Sequence, residues 1–211
     1  MEIAILGTGA VGRALAGGFT RAGHHVVLGT RDPDATRGRE GFPPDLELAT
    51  YADAAAGADV VLNSTSGDGT LAAVAAAAPG LSGKVLVDTS NPLDTTHGFP
   101  PTLSVKDTDS LAEQLQRAHP EVRVVKALNT CANEVMIDPG RVGDGDTTVF
   151  VAGDDPDARA VARGLLEDLG WRDVVEFDDL SAARGLEMWL PLWIRLMMKF
   201  GRAEFNLKIV R

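Results

Sequence analysis

The chain has 211 residues, of which 45% are hydrophobic, and a formal net charge of -10 at pH 7. This length suits one domain with a small appendage and leaves too little chain for two domains of equal size. The negative charge argues against nucleic acid or an anionic membrane surface as the main partner, because phosphates are repelled where no basic residues cluster.

The first predicted unit is a strand, a glycine-rich turn and a helix. Residues 3–6 form a short apolar run, and an alanine- and leucine-rich segment follows at 10–22. Between them, a G-x-G-x-x-G pattern stands in the one context in which it has a mechanism. Its first glycine allows the tight turn, its second lets backbone amides approach a pyrophosphate, and its third lets the helix pack closely on the strand. We therefore predict a dinucleotide site that includes Gly7, Thr8, Gly9, Ala10, Val11 and Gly12.

The end of the second predicted strand, His25–Leu28, carries the expected determinant of cofactor choice. An NAD site places an acidic residue about 20 positions after the glycines, to hold the ribose hydroxyls. Here the strand runs into Gly29-Thr30-Arg31. A hydroxyl followed by a guanidinium suits a 2′-phosphate, so Thr30 and Arg31 predict NADP in preference to NAD. In the alternative interpretation, Arg31 is a solvated loop residue and Asp32 is the ribose ligand. Two further arginines, Arg37 and Arg39, either reinforce the phosphate site or are solvated.

Strands and helices alternate along the rest of the chain. Further strands are predicted at 59–63, 84–88, 122–127, 147–152 and 174–177, and further helices at 70–78, 110–118, 155–169 and 181–199. This alternation predicts an α/β fold, a Rossmann-type doubly wound, mostly parallel sheet of about seven strands with a small C-terminal helical cap. The nucleotide-binding domain is predicted at 1–178 and the cap at 179–211, with a long ordered loop at 89–108.

Small polar residues follow several of these strands, at the carboxyl edge of the sheet where ligands of such folds lie. One strand ends in Asn63-Ser64-Thr65-Ser66-Gly67, the next in Asp88-Thr89-Ser90-Asn91-Pro92, and a later one runs into Asn129. We predict that Asn63, Ser64, Thr65, Asn91 and Asn129 belong to the cofactor site. The alternative is ordinary turn chemistry, because these residue types favour turns.

No catalytic residue and no metal site is predicted. Cys131 is the only cysteine, which excludes an internal disulfide and a four-cysteine zinc site and fits a reducing cytosol. An inert thiol is the favoured interpretation of Cys131, because no neighbour in sequence would lower its pKa. The four histidines lack metal-ligand spacing, and His97 is interpreted as a solvated loop residue in preference to a catalytic one.

The most apolar late stretch is interpreted as a buried helix. Residues 186–200 include Glu187, Arg195 and Lys199, which a bilayer core would have to accept. Trp189, Trp193 and Met197 lie on one helical stripe, which favours core or dimer packing over stacking on a cofactor. With no secretory signal in the first residues, the chain is predicted to be cytoplasmic.

Several of these segments together resemble one family, the F420-dependent NADP reductases. They are the opening strand, turn and helix, the Gly29-Thr30-Arg31 segment, Leu128-Asn129-Thr130, Gly153-Asp154-Asp155 and Phe205-Asn206-Leu207-Lys208, and the resemblance spans nearly the whole chain. The cofactor domain also resembles the cytoplasmic oxidoreductase domain of the STEAP ferric reductases. The resemblance implies an NADP site built from residues 8–11 with Thr30 and Arg31, hydride exchange with the deazaflavin F420, and a homodimer.

Hydride transfer between two rigid rings depends on alignment more than on an acid or a base, which agrees with the absence of a predicted catalytic pair. Two alternatives stay open from the sequence. One is an NADPH-dependent reductase of a flavin or a small carbonyl compound. The other is a non-catalytic NADP(H)-sensing module that docks a partner through its C-terminal helix.

Overall fold

The computed structural model describes all 211 residues. The strands are β1 (Glu2–Leu6), β2 (His25–Thr30), β3 (Glu47–Thr50), β4 (Val60–Asn63), β5 (Val85–Asp88), β6 (Leu93–Asp94), β7 (Thr102–Leu103), β8 (Arg123–Ala127), β9 (Thr148–Ala152) and β10 (Asp173–Phe177). The α-helices are α1 (Ala10–Arg21), α2 (Pro33–Arg37), α3 (Tyr51–Gly57), α4 (Gly67–Ala77), α5 (Leu111–Ala118), α6 (Asn133–Met136), α7 (Pro156–Asp168), α8 (Ala183–Met188) and α9 (Leu190–Phe200). Short 3-10 turns lie at Ala78–Gly80, Pro139–Arg141, Gly143–Gly145 and Leu180–Ala182.

The main sheet has eight strands in the order β10-β9-β8-β5-β4-β1-β2-β3. All neighbours pair in parallel except β8 and β9, which are antiparallel. From β3 to β8 the order is that of a doubly wound dinucleotide-binding sheet, in which the chain reverses direction across the sheet between β1 and β4. The predicted Rossmann-type fold is thus confirmed, and the carboxyl ends of β1 and β4 mark the place where a ligand is expected.

The core consists of one apolar layer on each face of the sheet. Along β1, Ile3 and Ile5 point into the layer that contains Leu15 and Phe19 of α1. The alternate residues of β1, Ala4 and Leu6, belong to the opposite layer, with residues of α3, α4 and α5. Because side chains alternate along a strand and both faces are covered, a central strand is apolar throughout, as the first apolar run predicted.

The structure contains elements that the sequence patterns did not reveal. β3 is only four residues long and lies at the sheet edge, where a mixed sequence such as Glu47–Thr50 gives no continuous apolar run. The segment predicted as a long loop includes a small antiparallel hairpin, in which β6 pairs with β7. The single helix predicted at 181–199 is divided into α8 and α9, with Pro191 in the first turn of α9.

The C-terminal segment is fastened to the sheet by polar contacts as well as apolar ones. The indole of Trp189 donates to the carbonyl oxygen of Thr130 at 3.0 Å. Leu186 of α8 packs against Phe150 and Ala152 of β9, and within the segment Trp193 stacks on Phe205 with ring centroids 5.3 Å apart. The amide of Thr148, at the start of β9, donates to the carbonyl oxygen of Leu207 at 2.8 Å. None of the helices is both long enough and apolar enough to cross a lipid bilayer.

Candidate functional site

The turn between β1 and α1 has room for nothing larger than glycine at two of its positions. Gly7 has φ +115°, a backbone conformation that other residues rarely adopt. A β-carbon on Gly12 would lie 2.2 Å from the carbonyl oxygen of Gly7. A β-carbon on Gly9, in contrast, would meet no atom of the protein within 4 Å. A larger residue at the first or third glycine would therefore destabilise the turn, whereas the second glycine exposes backbone at the mouth of the turn.

The N-terminus of α1 is suited to an anion. Gly9 is its N-cap, no side chain accepts a hydrogen bond from the first-turn amides, and no acidic residue lies in that turn. Free amides at this end of a helix carry a partial positive charge. The nearby guanidiniums reinforce it: Arg13 donates to the carbonyl oxygen of Thr8 at 2.7 Å, and Arg39 donates to the Thr8 hydroxyl at 3.2 Å.

Arg31, predicted as the phosphate ligand, lies on the wall of a cavity of about 430 Å³. The other lining residues are Tyr51, Thr65, Ser66, Asp68, Gly69, Ala72, Ala73 and Ala76. Burial raises the pKa of the Tyr51 phenol, and the positive charges of Arg31 and Arg39 oppose that rise, so both arginines lie near one ring. Arg31 is exposed and joins no ion pair of the chain. Its guanidinium is therefore available to a phosphate.

The residues around Arg31 are occupied by the protein itself. The hydroxyl of Thr30 is buried, 2.9 Å from that of Thr36. The carboxylate of Asp32 accepts a hydrogen bond from the amide of Ala35 at 2.9 Å and so caps α2. Because the Asp32 carboxylate already caps α2, the structure does not favour the alternative in which Asp32 binds a ribose.

The two other arginines of this region differ in their surroundings. Arg37 donates to the carbonyl oxygens of Pro43, Pro44 and Leu46, and its guanidinium lies 5.7 Å from the centre of the Phe42 ring. It therefore fixes the loop before β3. Arg39 faces the glycine turn through Thr8, as described above.

A second cavity, of about 460 Å³, continues the cleft along the carboxyl edge of the sheet. Its lining residues are Val11, Ser64, Thr65, Ser66, Gly67, Asp68, Thr89, Ser90, Asn91, Leu93 and Thr95. Thr65, Ser66 and Asp68 line both cavities, so the two form one continuous cleft. Four of the predicted site residues, Val11, Ser64, Thr65 and Asn91, lie on this wall. Asp68 is its one titratable side chain.

The two remaining predicted residues lie beneath the wall of the cleft. Asn63 is fully buried, and its side-chain oxygen accepts hydrogen bonds from the Thr65 amide at 3.3 Å and the Thr65 hydroxyl at 2.7 Å. Asn129 is 2% exposed, and its amide donates to the Asn91 side chain at 2.9 Å and to the carbonyl oxygen of Leu186 at 3.0 Å. Both therefore position residues that face the cleft.

A buried charge cluster under the cleft was missed by the sequence analysis. The ammonium of Lys126 lies 2.8 Å from a carboxylate oxygen of Asp88 and 2.8 Å from one of Glu187, and it also donates to the carbonyl oxygen of Ser90 at 2.6 Å. The other carboxylate oxygen of Asp88 accepts from the Asn63 amide at 2.7 Å and the Ser90 hydroxyl at 2.7 Å. The cluster is thus joined to two loops that form the cleft.

The electrostatics of this cluster follow from its burial. Burial lowers the pKa of Lys126, but the negative charges of Asp88 and Glu187 raise it by more, so the ammonium stays charged. Burial raises the pKa of Glu187, and Lys126 opposes that rise. The sequence does contain a signal for this cluster, because charged residues rarely lie in buried apolar strands. Asp88 ends the strand Val85–Asp88, and Lys126 lies within the strand Arg123–Ala127.

The remaining chemically reactive candidates lie outside the cleft lining. Cys131 is buried, which raises the pKa of its thiol to about 12 and leaves little thiolate at neutral pH. His97 is exposed in the segment between β6 and β7. No group of three His, Cys, Asp or Glu side chains lies close enough together to hold a metal ion.

Comparison with known proteins places these features in a family context. Residues 2–92 match the family model described as NADP oxidoreductase, coenzyme F420-dependent. The F420-dependent NADP reductase of Methanothermobacter thermautotrophicus is 31% identical over 94% of this chain and 90% of its own. Metalloreductase STEAP3 of Rattus norvegicus is 28% identical over 91% of this chain and 38% of its own. The crystal structure of a candidate F420-dependent NADP reductase from Arthrobacter sp. FB24 covers 100% of both chains, with 51% identity and a TM-score of 0.97.

Proposed function

Because this chain belongs to the F420-dependent NADP reductase family and is an NADP-dependent oxidoreductase, we propose that it transfers hydride between NADP(H) and F420. The observation that carries the proposal is the continuous cleft at the carboxyl edge of the sheet. It joins a cavity that contains Arg31, which has no ion-pair partner, to a cavity lined by hydroxyls, the Asn91 amide and Val11 in the uncapped first turn of α1.

The residues present fit the nucleotide. At Gly9 the open side of the backbone admits a pyrophosphate next to the amides of α1, where a β-carbon would otherwise project. Arg31, with Arg39 nearby, offers positive charge for the 2′-phosphate. When bound, NADP(H) supplies the nicotinamide carbon that gives or receives a hydride.

The chain's own contribution at the other end of the cleft is alignment. Asn91 is held by Asn129, and Thr65 is held by Asn63, so two polar groups on the wall have fixed positions. Val11 and Leu93 add apolar surface on which a ring can rest. Since a hydride carries its own electron pair, its transfer between two rings requires closeness and orientation more than a proton donor on the protein. The hydroxyl-rich lining suits that requirement.

The test is an anaerobic spectroscopic assay of the purified protein with reduced F420 and NADP⁺. We expect reduced F420 to be oxidised while an equal amount of NADPH is formed. The reaction should be much slower when NAD⁺ replaces NADP⁺. Parallel reactions pair NADPH with free flavin and with a small carbonyl compound. Turnover with either of those and none with F420 would overturn the F420 assignment. Tight NADPH binding without turnover on any partner would instead favour a sensing role.

A further inference from the structure

A third cavity, of about 390 Å³, is lined by the segment around β7, the last residue of α8 and the first half of α9. Its lining residues are Pro100, Pro101, Thr102, Leu103, Lys106, Met188, Pro191 and Arg195. No lining residue is shared with the two cavities of the nucleotide cleft. Most of its wall is proline, methionine and leucine, and its two charged residues are both positive.

The hairpin makes this cavity a neighbour of the cleft. Leu93 lines the cleft and pairs across the hairpin with Leu103, which lines the third cavity. The pairing is extended by Ser104, whose amide donates to the carbonyl oxygen of Pro92 at 2.9 Å. The cleft and the third cavity therefore adjoin along this hairpin, since a residue that borders one is paired with a residue that borders the other.

The two positive charges of this cavity are not neutralised by the chain. Neither Lys106 nor Arg195 joins an ion pair, although the chain has ten more acidic than basic residues. Asp94 is one acidic group whose carboxylate feels the charge of Lys106. Its pKa is lowered first by hydrogen bonds from the Thr96 hydroxyl and amide, and to a smaller extent by the charges of His97 and Lys106. Asp94 is thus already held by Thr96.

Two unpaired cations on one apolar cavity favour an anionic ligand that also has an aliphatic part. A guanidinium binds phosphate or carboxylate oxygens in pairs, and an ammonium adds a point charge from a flexible stem. Met188 and Pro191 offer apolar surface between them. On a chain of net charge -10, such a local reversal of sign also attracts an acidic molecule selectively to this end of the cleft.

We propose that this cavity binds the anionic side chain of the second substrate, through Lys106 and Arg195, while the reacting ring lies in the adjacent cleft. The inference rests on the proposed function, because the second substrate is taken to be F420. That coenzyme consists of a deazaflavin ring whose ribityl chain is extended by a phosphate and by glutamyl carboxylates. The ring system ending in the neutral ribityl chain lacks every one of these negative charges.

The experiment measures equilibrium binding of oxidised F420 to the protein saturated with NADP⁺, followed by the fluorescence of the deazaflavin. The same titration is made with the neutral ribityl form and with a form that ends at the phosphate. Lys106→Gln and Arg195→Gln are compared with wild type and with Arg172→Gln, a control that removes an exposed arginine just before β10 that does not line the third cavity.

We expect each cavity variant to weaken F420 binding roughly three- to thirtyfold and to leave the neutral form unchanged, since one charge-assisted contact is lost. Raising the salt concentration should weaken F420 binding by wild type more than by the variants. If the phosphate-ended form binds as well as F420, the phosphate occupies the cavity. If it binds only as well as the neutral form, the glutamyl carboxylates occupy it.

Two results would overturn the proposal and are distinguishable. If wild type oxidises reduced F420 with NADP⁺ but both cavity variants bind F420 normally, the anionic subsite is refuted and the proposed function stands. If wild type binds neither F420 nor its neutral form and shows no turnover, while NADP⁺ still binds, the proposed function and the subsite both fail. Equal affinity of wild type for F420 and the neutral form also refutes the subsite.

Discussion

The ammonium of Lys126 lies 2.8 Å from the carboxylate of Asp88, and neither side chain has any exposed surface. The two residues are register partners in the parallel pair of β5 and β8. Asp88 also receives hydrogen bonds from Asn63 and Ser90, which support the cleft. A charged pair at the carboxyl ends of two central strands therefore sets the position of the loops that face the cleft.

Replacement of Lys126 by methionine should destabilise the protein strongly. The change leaves Asp88 and Glu187 buried together without their cation, and loss of one partner from a buried pair costs about 3 to 5 kcal/mol. The free energy of unfolding is measured by urea denaturation. Lys208→Met serves as the control, because the Lys208 ion pairs with Asp146 and Asp173 are more exposed and should contribute less than about 1 kcal/mol. Equal losses in the two variants would contradict the assignment of a buried triad.

Alanine at Gly9 and at Gly12 should separate binding from folding. Gly9→Ala adds a β-carbon where the protein has open space, and because alanine is a poorer N-cap than glycine, stability should fall by no more than about 1 kcal/mol. The same carbon projects beside the amides of α1, and the affinity for NADP(H) should fall by about tenfold, or roughly 1.4 kcal/mol. Gly12→Ala collides with the Gly7 carbonyl and should lower stability by about 1 to 3 kcal/mol. Calorimetric titration measures the affinity for NADP(H), and thermal unfolding measures the stability of each variant. Normal NADPH affinity in folded Gly9→Ala would exclude this turn as the pyrophosphate site.

Arg31→Ala should reduce the preference for NADP over NAD. Loss of a charge-assisted contact to the 2′-phosphate corresponds to roughly 1.5 to 3 kcal/mol, which is a tenfold to hundredfold weaker binding of NADP(H). Binding of NAD(H) should be unchanged, because it lacks that phosphate. Arg37→Ala is the matched control: it removes a guanidinium that holds backbone carbonyls before β3, so it should affect stability without altering cofactor preference. If Arg31→Ala kept the wild-type preference for NADP over NAD and Arg37→Ala lost it, Arg37 and not Arg31 would be the residue that selects NADP.

The ion pair between Asp109 and Arg117 predicts a specific pH dependence of stability. Arg117 lowers the pKa of Asp109 to about 2, and a free aspartate titrates at about 3.9. A depressed pKa in the folded state contributes stability above about pH 4, and that contribution is lost as the pH falls toward 2. Asp109→Asn should therefore be less stable than wild type at pH 7, by less than about 1 kcal/mol because the pair is partly exposed. Urea denaturation at a series of pH values checks this, and a difference that persisted unchanged at pH 2 would contradict it.

The sequence was sufficient for those parts of the fold that depend on continuous local patterns. Central strands buried on both faces are apolar runs, and the glycine turn has its own spacing, so both were predicted from residues near each other in the chain. β3 and the β6–β7 hairpin were missed because short edge strands are defined by their partners more than by their own residues.

The candidate site was predictable at the level of loops and not at the level of side-chain direction. Asn63 and Thr65 are two positions apart in one turn, yet Asn63 points inward to hold Thr65, which faces the cleft. Nothing in the local sequence distinguishes the two orientations. The contact of Lys126 with Glu187 joins residues 61 positions apart, and only the packing of α8 against the sheet brings them together.

The cap formed by Asp32 has a consequence for any attempt to re-engineer cofactor preference. The position next to Arg31 already holds the kind of carboxylate that grips a ribose in NAD-dependent enzymes, but here that carboxylate begins a helix. If Arg31 binds the 2′-phosphate as proposed, its removal alone would take away affinity for NADP(H) without creating affinity for NAD(H). Conversion would also require a new start for α2, so that selectivity and local folding would have to change in the same step.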